Sequence, residues 1–226
     1  MANTGRLRAL RNKYEVRAGT WNTRIERTFR NTLYPWFDGH LHKTLQDHTS
    51  SRKVESYALD LGCGTGKSTE NLFPYAENIV AVDLSKEMLK KAQKRFRKID
   101  PEKRPELILC SATNLPFVSN SIYVVSARGS LINHLGKDNT GKMLKELYNS
   151  MMKESIFVFN FAEKTSSIDE IPNGPFTFYE IDEVERMLND VGFLYSILGN
   201  KRFKVRSNKH YFENNSVCIK AEKYPN

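Results

Sequence analysis

The sequence predicts an α/β fold built on a mostly parallel sheet, and three features predict it. Residues 57–61 form a short apolar run with one internal acid, Asp60, and glycines follow at positions 62, 64 and 66. Such a run reads as a strand buried on both faces that feeds a loop. A second run, residues 79–82, ends in Asp83 seventeen residues beyond Gly66, which is the spacing of a strand–loop–helix–strand unit. Further on, apolar runs alternate with helical patterns until Gly192-Phe193, after which the chain closes in strands.

Taken in order, residues 6–50 carry apolar positions at three- and four-residue steps (Leu7, Leu10, Tyr14; Trp21, Ile25, Phe29, Leu33), which predicts two helices broken near Gly19 and at Pro35. After the glycine loop a helix is expected through about Phe73, stopped by Pro74. Ser85 can cap the next helix, whose apolar side holds Met88, Leu89, Ala92, Phe96 and Ile99. Residues 106–110 and 121–126 read as strands three and four. Asp138 or Asn139 can cap a helix through about Met152, and residues 155–161 make strand five. Residues 165–178 turn to Ser, Asp, Pro, Asn and Gly, which is loop. A helix near 182–189 is capped by Gly192. Residues 193–198, 202–206 and 216–221 are the closing strands, the last pair an antiparallel hairpin, for a sheet of seven.

At 226 residues the chain is long enough for one domain with a buried core, divided here into a helical cap, 1–52, and a main domain, 53–226. Eleven of the lysines and arginines against four acids fall in residues 1–53, so most of the net charge of +9 lies there. A basic face of this kind can meet RNA, another polyanion or a single acidic substrate, or serve only as a solvated helical surface. No apolar run approaches the ~20 residues that span a bilayer, and the polar start has no apolar segment of signal-peptide type. The expectation is a soluble, cytoplasmic protein with no membrane partner. Cys63, Cys110 and Cys218 are odd in number and lack metal-ligand spacing, which fits reduced thiols and no bound metal.

Glycines at alternate positions turn the chain sharply and let a ligand approach the backbone N–H groups. The dinucleotide fingerprint fails because glycine is required where Lys67 stands, and the phosphate-binding loop that Gly66-Lys67-Ser68 would end fails because its first glycine would fall on Leu61. The remaining pattern, acid-x-Gly-x-Gly-x-Gly from Asp60, resembles motif I of the class I S-adenosylmethionine (SAM) dependent methyltransferases, with all positions filled. The resemblance covers roughly residues 55–222 and points to the small-molecule branch that includes ubiquinone and menaquinone biosynthesis. It implies a Rossmann-like seven-stranded sheet with an antiparallel last strand, helices on both faces and an N-terminal helical lid, with SAM as cofactor and S-adenosylhomocysteine (SAH) as product.

Carried over residue by residue, the resemblance gives Asp60 and the loop Gly62, Cys63, Gly64 and Gly66 to the methionine end. It gives Asp83 with Leu84 to the ribose, and Ser111, Ala112 and Thr113 to the adenine. Ser111 stands where the family has an aspartate for the adenine amino group, and Tyr123 replaces a second family aspartate in strand four. In the lid, Tyr14, Trp21, Tyr34 and Trp36 would face cofactor or substrate, Tyr14 the cofactor, unless they are the packing face of their helices. The 128–135 segment resembles the one that passes beneath the transferred methyl. It offers His134 as a base if its imidazole titrates near the usual ~6.5, and Arg128 as a holder of cofactor or of a substrate carboxylate or phosphate. An insertion over the pocket near 163–180 would bring Phe176, Phe178 and Tyr179 to the substrate. No Asn/Asp-Pro-Pro-aromatic motif follows strand five, which excludes the enzymes that methylate exocyclic base nitrogens. The expected function is metal-independent methyl transfer to a small-molecule O or N nucleophile, by a monomer or homodimer. An RNA or protein methyltransferase using the basic first quarter, and a non-catalytic or nucleotide-binding relative, stay open beside it.

Overall fold

The computed structural model describes residues 2–20, 32–49, 54–165, 176–207 and 210–224. Seven strands form one sheet: β1 (Val54–Leu61), β2 (Ala76–Asp83), β3 (Glu106–Leu109), β4 (Ile122–Ala127), β5 (Met151–Glu163), β6 (Leu194–Ser207) and β7 (His210–Lys223). Their order is β3-β2-β1-β4-β5-β7-β6, with parallel pairing from β3 through β5 and with β7 antiparallel to both β5 and β6. The order reverses direction between β1 and β4, and in open α/β sheets the crevice outside the carboxyl ends at such a reversal is where ligands bind.

Among the described residues six α-helices surround the sheet: α1 (Ala2–Arg17), α2 (Leu33–Thr49), α3 (Lys86–Phe96), α4 (Leu131–Leu135), α5 (Lys137–Ser150) and α6 (Ile181–Val191). Alternation along the strands divides the core in two. Leu59, Leu61, Phe157, Phe159 and Phe161 face one side, where Met143, Leu144 and Leu147 of α5 and Val184 and Leu188 of α6 cover them. Ala58, Val124, Ile156, Val158 and Cys218 face the other, against Phe37, Leu41 and Leu45 of α2. The helix from 33 to 49 is therefore part of the central packing, and only its first residues, Leu33 and Tyr34, reach the crevice.

Several local expectations change. Pro35 does not break a helix; it sits in the first turn of α2, where its missing N–H has no intrahelical partner to lose. The helix expected after the glycine loop shrinks to one 3₁₀ turn, Thr69–Leu72. The hydroxyls of Ser68 and Thr69 turn inward onto Asp60, and Pro74 follows too soon for a longer helix. The positive end of a long helix consequently does not face the loop. Gly136, at φ +78, precedes α5 and places Asp138 in its first turn instead of at the cap. The segments 193–198 and 202–206 join into one strand, β6, with a bulge between Ile197 and Gly199. A Cβ at Gly199 would come within 3.0 Å of His40 Nε2, so only glycine fits there without displacing the ring. Tyr123, the departure in strand four, stacks on His48 at 4.9 Å between ring centroids and packs with the α2 side of the core.

Candidate functional site

A cavity of about 300 Å³ opens at the carboxyl ends of β1, β2 and β4. Its floor is the glycine loop. Gly62, Gly64 and Gly66 all have φ between +55 and +79, the left-handed region that residues with a Cβ rarely occupy. Gly62 and Cys63 both donate their N–H to Val82 O at 2.9 Å, which ties the loop to the end of β2. Gly64 N–H donates to Asp83 Oδ2 at 2.8 Å, and Ser85 N–H to Asp83 Oδ1 at 2.8 Å. An ideal Cβ at Gly64 would meet nothing within 4 Å, so the bare backbone faces open cavity.

Two carboxylates lie at this floor with different duties. Asp60 is fully buried beneath the loop, where Oδ2 accepts from Ser68 Oγ (2.8 Å) and Thr69 Oγ1 (2.6 Å) and Oδ1 has no partner. Burial raises its pKa, partly opposed by those two hydroxyls. Asp83 lines the cavity, and burial raises its pKa to about 6 against the pull of the Ser85 and Gly64 N–H groups. The thiols of Cys63 and Cys110 are pushed up by burial, which keeps them protonated and poorly nucleophilic.

One wall is α1. Leu7, Leu10, Lys13, Tyr14 and Arg17 recur at three- and four-residue steps and all line the cavity. Polar contacts hold the helix at both ends. Arg6 donates to His134 O (3.0 Å), Asn133 O (3.3 Å) and Thr177 Oγ1 (2.9 Å), and the Glu15 carboxylate accepts from the Lys86 and Glu87 N–H groups (2.8 and 3.2 Å) that open α3. A carboxylate at a helix N-terminus is stabilising. Glu15→Ala should lower stability by about 1 kcal/mol, read as a fall in melting temperature of roughly 2–4 °C, without changing the secondary structure.

The opposite wall is Cys110, Ser111 and Ala112, and the far end holds Arg128 to Leu131, His134 and Phe176. Asn160, buried in β5, accepts from Gly129 N–H (3.0 Å) and donates to Ser216 Oγ (2.9 Å), which fixes the turn after β4. Asn133 bridges Ala162 and Thr177, which seats the segment carrying Phe176.

Residues 58–154 match the family described as methyltransferase domain. That stretch, less than half of the chain, is thus similar to a methyltransferase domain. Over 173 residues, 75% of this chain and 62% of the relative, it is 25% identical to an uncharacterised protein of Methanocaldococcus jannaschii. Over 72 residues it is 44% identical to the demethylmenaquinone methyltransferase of Paenarthrobacter aurescens, covering 30% of this chain and 25% of that one. The chain thus spans less than two thirds of the length of these curated relatives. Among solved structures, a SAM-dependent methyltransferase from Clostridium acetobutylicum superposes with a TM-score of 0.67 at 19% identity, covering 94% of this chain and 99% of that one.

The cavity gathers most of the residues singled out from sequence. Tyr14, Gly62, Cys63, Gly64, Asp83, Leu84, Ser111, Ala112, Arg128, His134 and Phe176 all line the one cavity. Gly66 and Asp60 lie beneath it, Gly66 against Phe96 and Ala92. Thr113 is turned aside: its hydroxyl and N–H meet Ser111 Oγ at 2.8 and 3.2 Å. Trp36 is off the cavity, edge-on to His40 at 5.1 Å, because α2 faces the second core. Tyr179 is also a correction, fully buried with its hydroxyl donating to Ile132 O (3.2 Å) and paired with Thr140 (3.0 Å). Phe178 stands one layer out, edge-on to Phe176 at 5.0 Å. Trp21 lies outside the described residues.

Two expected side-chain chemistries change. Arg128 Nη1 donates to both carboxylate oxygens of Asp38 (3.0 and 3.2 Å), and its guanidinium lies 4.2 Å over the Tyr34 ring, so its charge is matched before any ligand arrives. His134 does not titrate near the usual value: burial and the charges of Lys13, Arg6 and Arg17 lower it to about 3. It is a neutral imidazole with a buried, unpartnered Nδ1, set edge-on between Tyr14 (5.6 Å) and Phe176 (4.8 Å). Leu7, Leu10, Lys13, Arg17 and the Arg6 and Glu15 ties were not singled out from sequence; the helical spacing of 7, 10, 14 and 17 was visible, but not the face that meets the cavity.

Proposed function

We propose that the protein transfers a methyl group from SAM to an oxygen or nitrogen of a small organic acceptor. The observation that carries this is the junction of the glycine loop with Asp83: the bare backbone of Gly64 opens onto the cavity while its N–H is held on the same carboxylate that would accept the ribose hydroxyls. The residues present fit the cofactor. Each oxygen of Asp83 accepts one backbone N–H and keeps further lone-pair capacity for a hydroxyl donor. Ser111 and Ala112 offer a polar edge for the base, and Tyr14 and Leu10 cover it from α1.

When bound, SAM supplies an electrophilic methyl on a sulfonium whose positive charge is lost as the methyl passes to a lone pair of the acceptor. The chain's part is to align and to exclude water. His134 Nδ1, a buried neutral acceptor, would accept a hydrogen bond from an attacking hydroxyl or amine and so orient its lone pair. Its low basicity would leave the proton to pass to solvent once the methyl has transferred, and the rings of Tyr14 and Phe176 would flank the acceptor. The similarity to a demethylmenaquinone methyltransferase supports a small organic acceptor over RNA or protein. Among the described residues no group of three or more potential metal ligands occurs, and no helix is long and apolar enough to cross a membrane.

Thermal unfolding with SAH, and with ATP for comparison, tests the cofactor. At ~100-fold over its dissociation constant SAH should stabilise by ~2.7 kcal/mol, a rise of roughly 5–10 °C. A rise with ATP alone would refute methyl transfer.

A further inference from the structure

The last two strands reach past their neighbour. β5 ends at Glu163, opposite Asn215 of β7, whereas β6 and β7 stay paired from there to Ser207 and His210. This overhang stands above the carboxyl ends of the parallel strands. It contributes Phe203 and Asn214, directly opposite each other on the two strands, to the wall of the cavity.

Hydrogen bonds place Asn214 beside the turn that ends β4. Alternate residues of a strand share a face, so Asn214 lies on the same side of β7 as Ser216 and about 7 Å further along. Ser216 Oγ accepts from Asn160 Nδ2 (2.9 Å), which also reaches Ser130 Oγ (3.4 Å), while Asn160 Oδ1 holds Gly129 N–H (3.0 Å). Gly129 and Ser130 line the cavity and are both left-handed, at φ +90 and +60. Serine seldom occupies this region, and such a backbone persists only where its surroundings hold it.

The unmatched chemistry at this end is neutral. Arg128, the cation of the same turn, is met by Asp38. Asn214 is only 8% exposed, yet among the described residues its Oδ1 has no hydrogen-bond partner. Asn215, next along, turns to the opposite face and gives its amide N–H to Glu163. A buried amide oxygen left unmatched costs stability, and a half-turn about Cβ–Cγ presents it to the cavity without moving the backbone. His134 Nδ1 is a second buried acceptor without a partner on the same cavity wall, with the Phe176 ring beside it at 4.8 Å. Both groups lack a donor, and Phe176 and Phe203 add apolar ring surface.

We infer that the methyl acceptor is an uncharged molecule with two hydrogen-bond donors, and that Asn214 orients it by accepting from a hydroxyl or N–H remote from the nucleophile while the nucleophile itself meets His134. The inference deepens the methyl-transfer reading and rests on it. An acceptor that carried the nucleophile alone would leave the Asn214 oxygen buried and unmatched in the complex, so it would bind less tightly and be held less well in line. Asn214 thus sets specificity and takes no part in the bonds that form and break.

Titration of the SAH-loaded protein with resorcinol, hydroquinone and tyrosol, whose two hydroxyls stand progressively further apart, tests this, with the dimethyl ether of each as control. At least one diol should bind saturably and ~10-fold or more tighter than its ether. Asn214→Leu, close in size but without the amide, should weaken that diol by ~10-fold or more while changing its ether and SAH by less than ~2-fold. Asn214→Asp, which keeps an acceptor oxygen, should retain most of the diol affinity. In the free protein Asn214→Leu should raise the melting temperature by roughly 2–4 °C, because no hydrogen bond is lost with the amide. A fall of that size would show the amide to be structural and overturns the inference. Diols that bind no better than their ethers, or equal losses of diol and SAH in Asn214→Leu, overturn it as well. If SAH binds the wild type and no diol is preferred, this inference falls and methyl transfer stands. If SAH fails to bind the wild type, the methyl-transfer reading falls; the diols on the protein alone and the melting temperature of Asn214→Leu then decide whether the polar subsite exists.

Discussion

Asp83→Ala should reduce SAH affinity by ~100-fold or more, the largest effect of any single change at the floor of the cavity. The substitution removes the proposed acceptor for the ribose hydroxyls and also releases the N–H groups of Gly64 and Ser85, both held at 2.8 Å. A charge-assisted hydrogen bond is worth ~1.5–3 kcal/mol, and on the proposed reading two hydroxyl donors would meet this carboxylate. Calorimetric titration with SAH reads the loss directly. If affinity stays within threefold of wild type, Asp83 is not the ribose acceptor.

The same group sets a pH dependence whose sign differs between the free and the bound protein. Burial raises the Asp83 pKa to about 6, above its unfolded value near 3.8. Between those values the folded protein binds the proton more tightly than the unfolded chain. Its contribution to stability therefore falls as pH rises from about 4 to 6, by on the order of 2–3 kcal/mol. Ligand hydroxyls donate to the ionised form, so SAH affinity should instead fall as pH drops below 6. Melting temperatures of free and SAH-loaded protein across pH 4.5–7.5 should show the ligand-induced rise shrinking at the acid end. Asp83→Asn should abolish that trend.

Gly66→Ala should destabilise the fold by about 3 kcal/mol, lowering the melting temperature by roughly 6–12 °C, and weaken SAH binding as the loop shifts. At φ +79 an alanine is strained, and its Cβ would lie 2.6 Å from Phe96 Cζ and 3.1 Å from Ala92 Cβ. Phe96 is buried on α3, so its ring yields only by disturbing its packed neighbours. Gly64→Ala makes the informative comparison. Its φ of +55 carries strain, but its Cβ meets no neighbour. It should cost less stability than Gly66→Ala while obstructing the ligand as much or more. Equal melting temperatures for the two variants would contradict this account of the loop.

The fold was legible where periodicity and punctuation agreed. The run ending in Asp60-Leu61, the run ending in Asp83, the Ser85 cap on Met88 N–H and the Gly192 cap at φ +100 are all local signals. The helix expected after Gly66 failed because its hydroxyls answer a buried carboxylate several residues earlier, a tertiary demand that outweighs propensity. The same limit governed the site. Loop glycines and strand-end acids were readable because backbone geometry places them. Trp36 and Tyr179 went to the core because which face of α2 or of the 176–179 segment turns inward is settled by packing. His134 was found by position but not by chemistry: its low basicity comes from Lys13, Arg6 and Arg17, more than a hundred residues away in the chain.

The bulge in β6 bears on what can add to the edge of the sheet. β6 is the outer strand of the sheet, and Leu194 and Ile197 are exposed along it. A long, regular, apolar border of this kind would invite a neighbouring chain to add its own strand. The irregularity between Ile197 and Gly199 interrupts the ladder of backbone groups midway, and Lys201 and Arg202 beyond it set charge on the rim. A second molecule approaching edge to edge would lose register after a few residues and then meet like charge. The glycine that leaves room for His40 beside the strand thereby also makes this border a poorer template for a further strand.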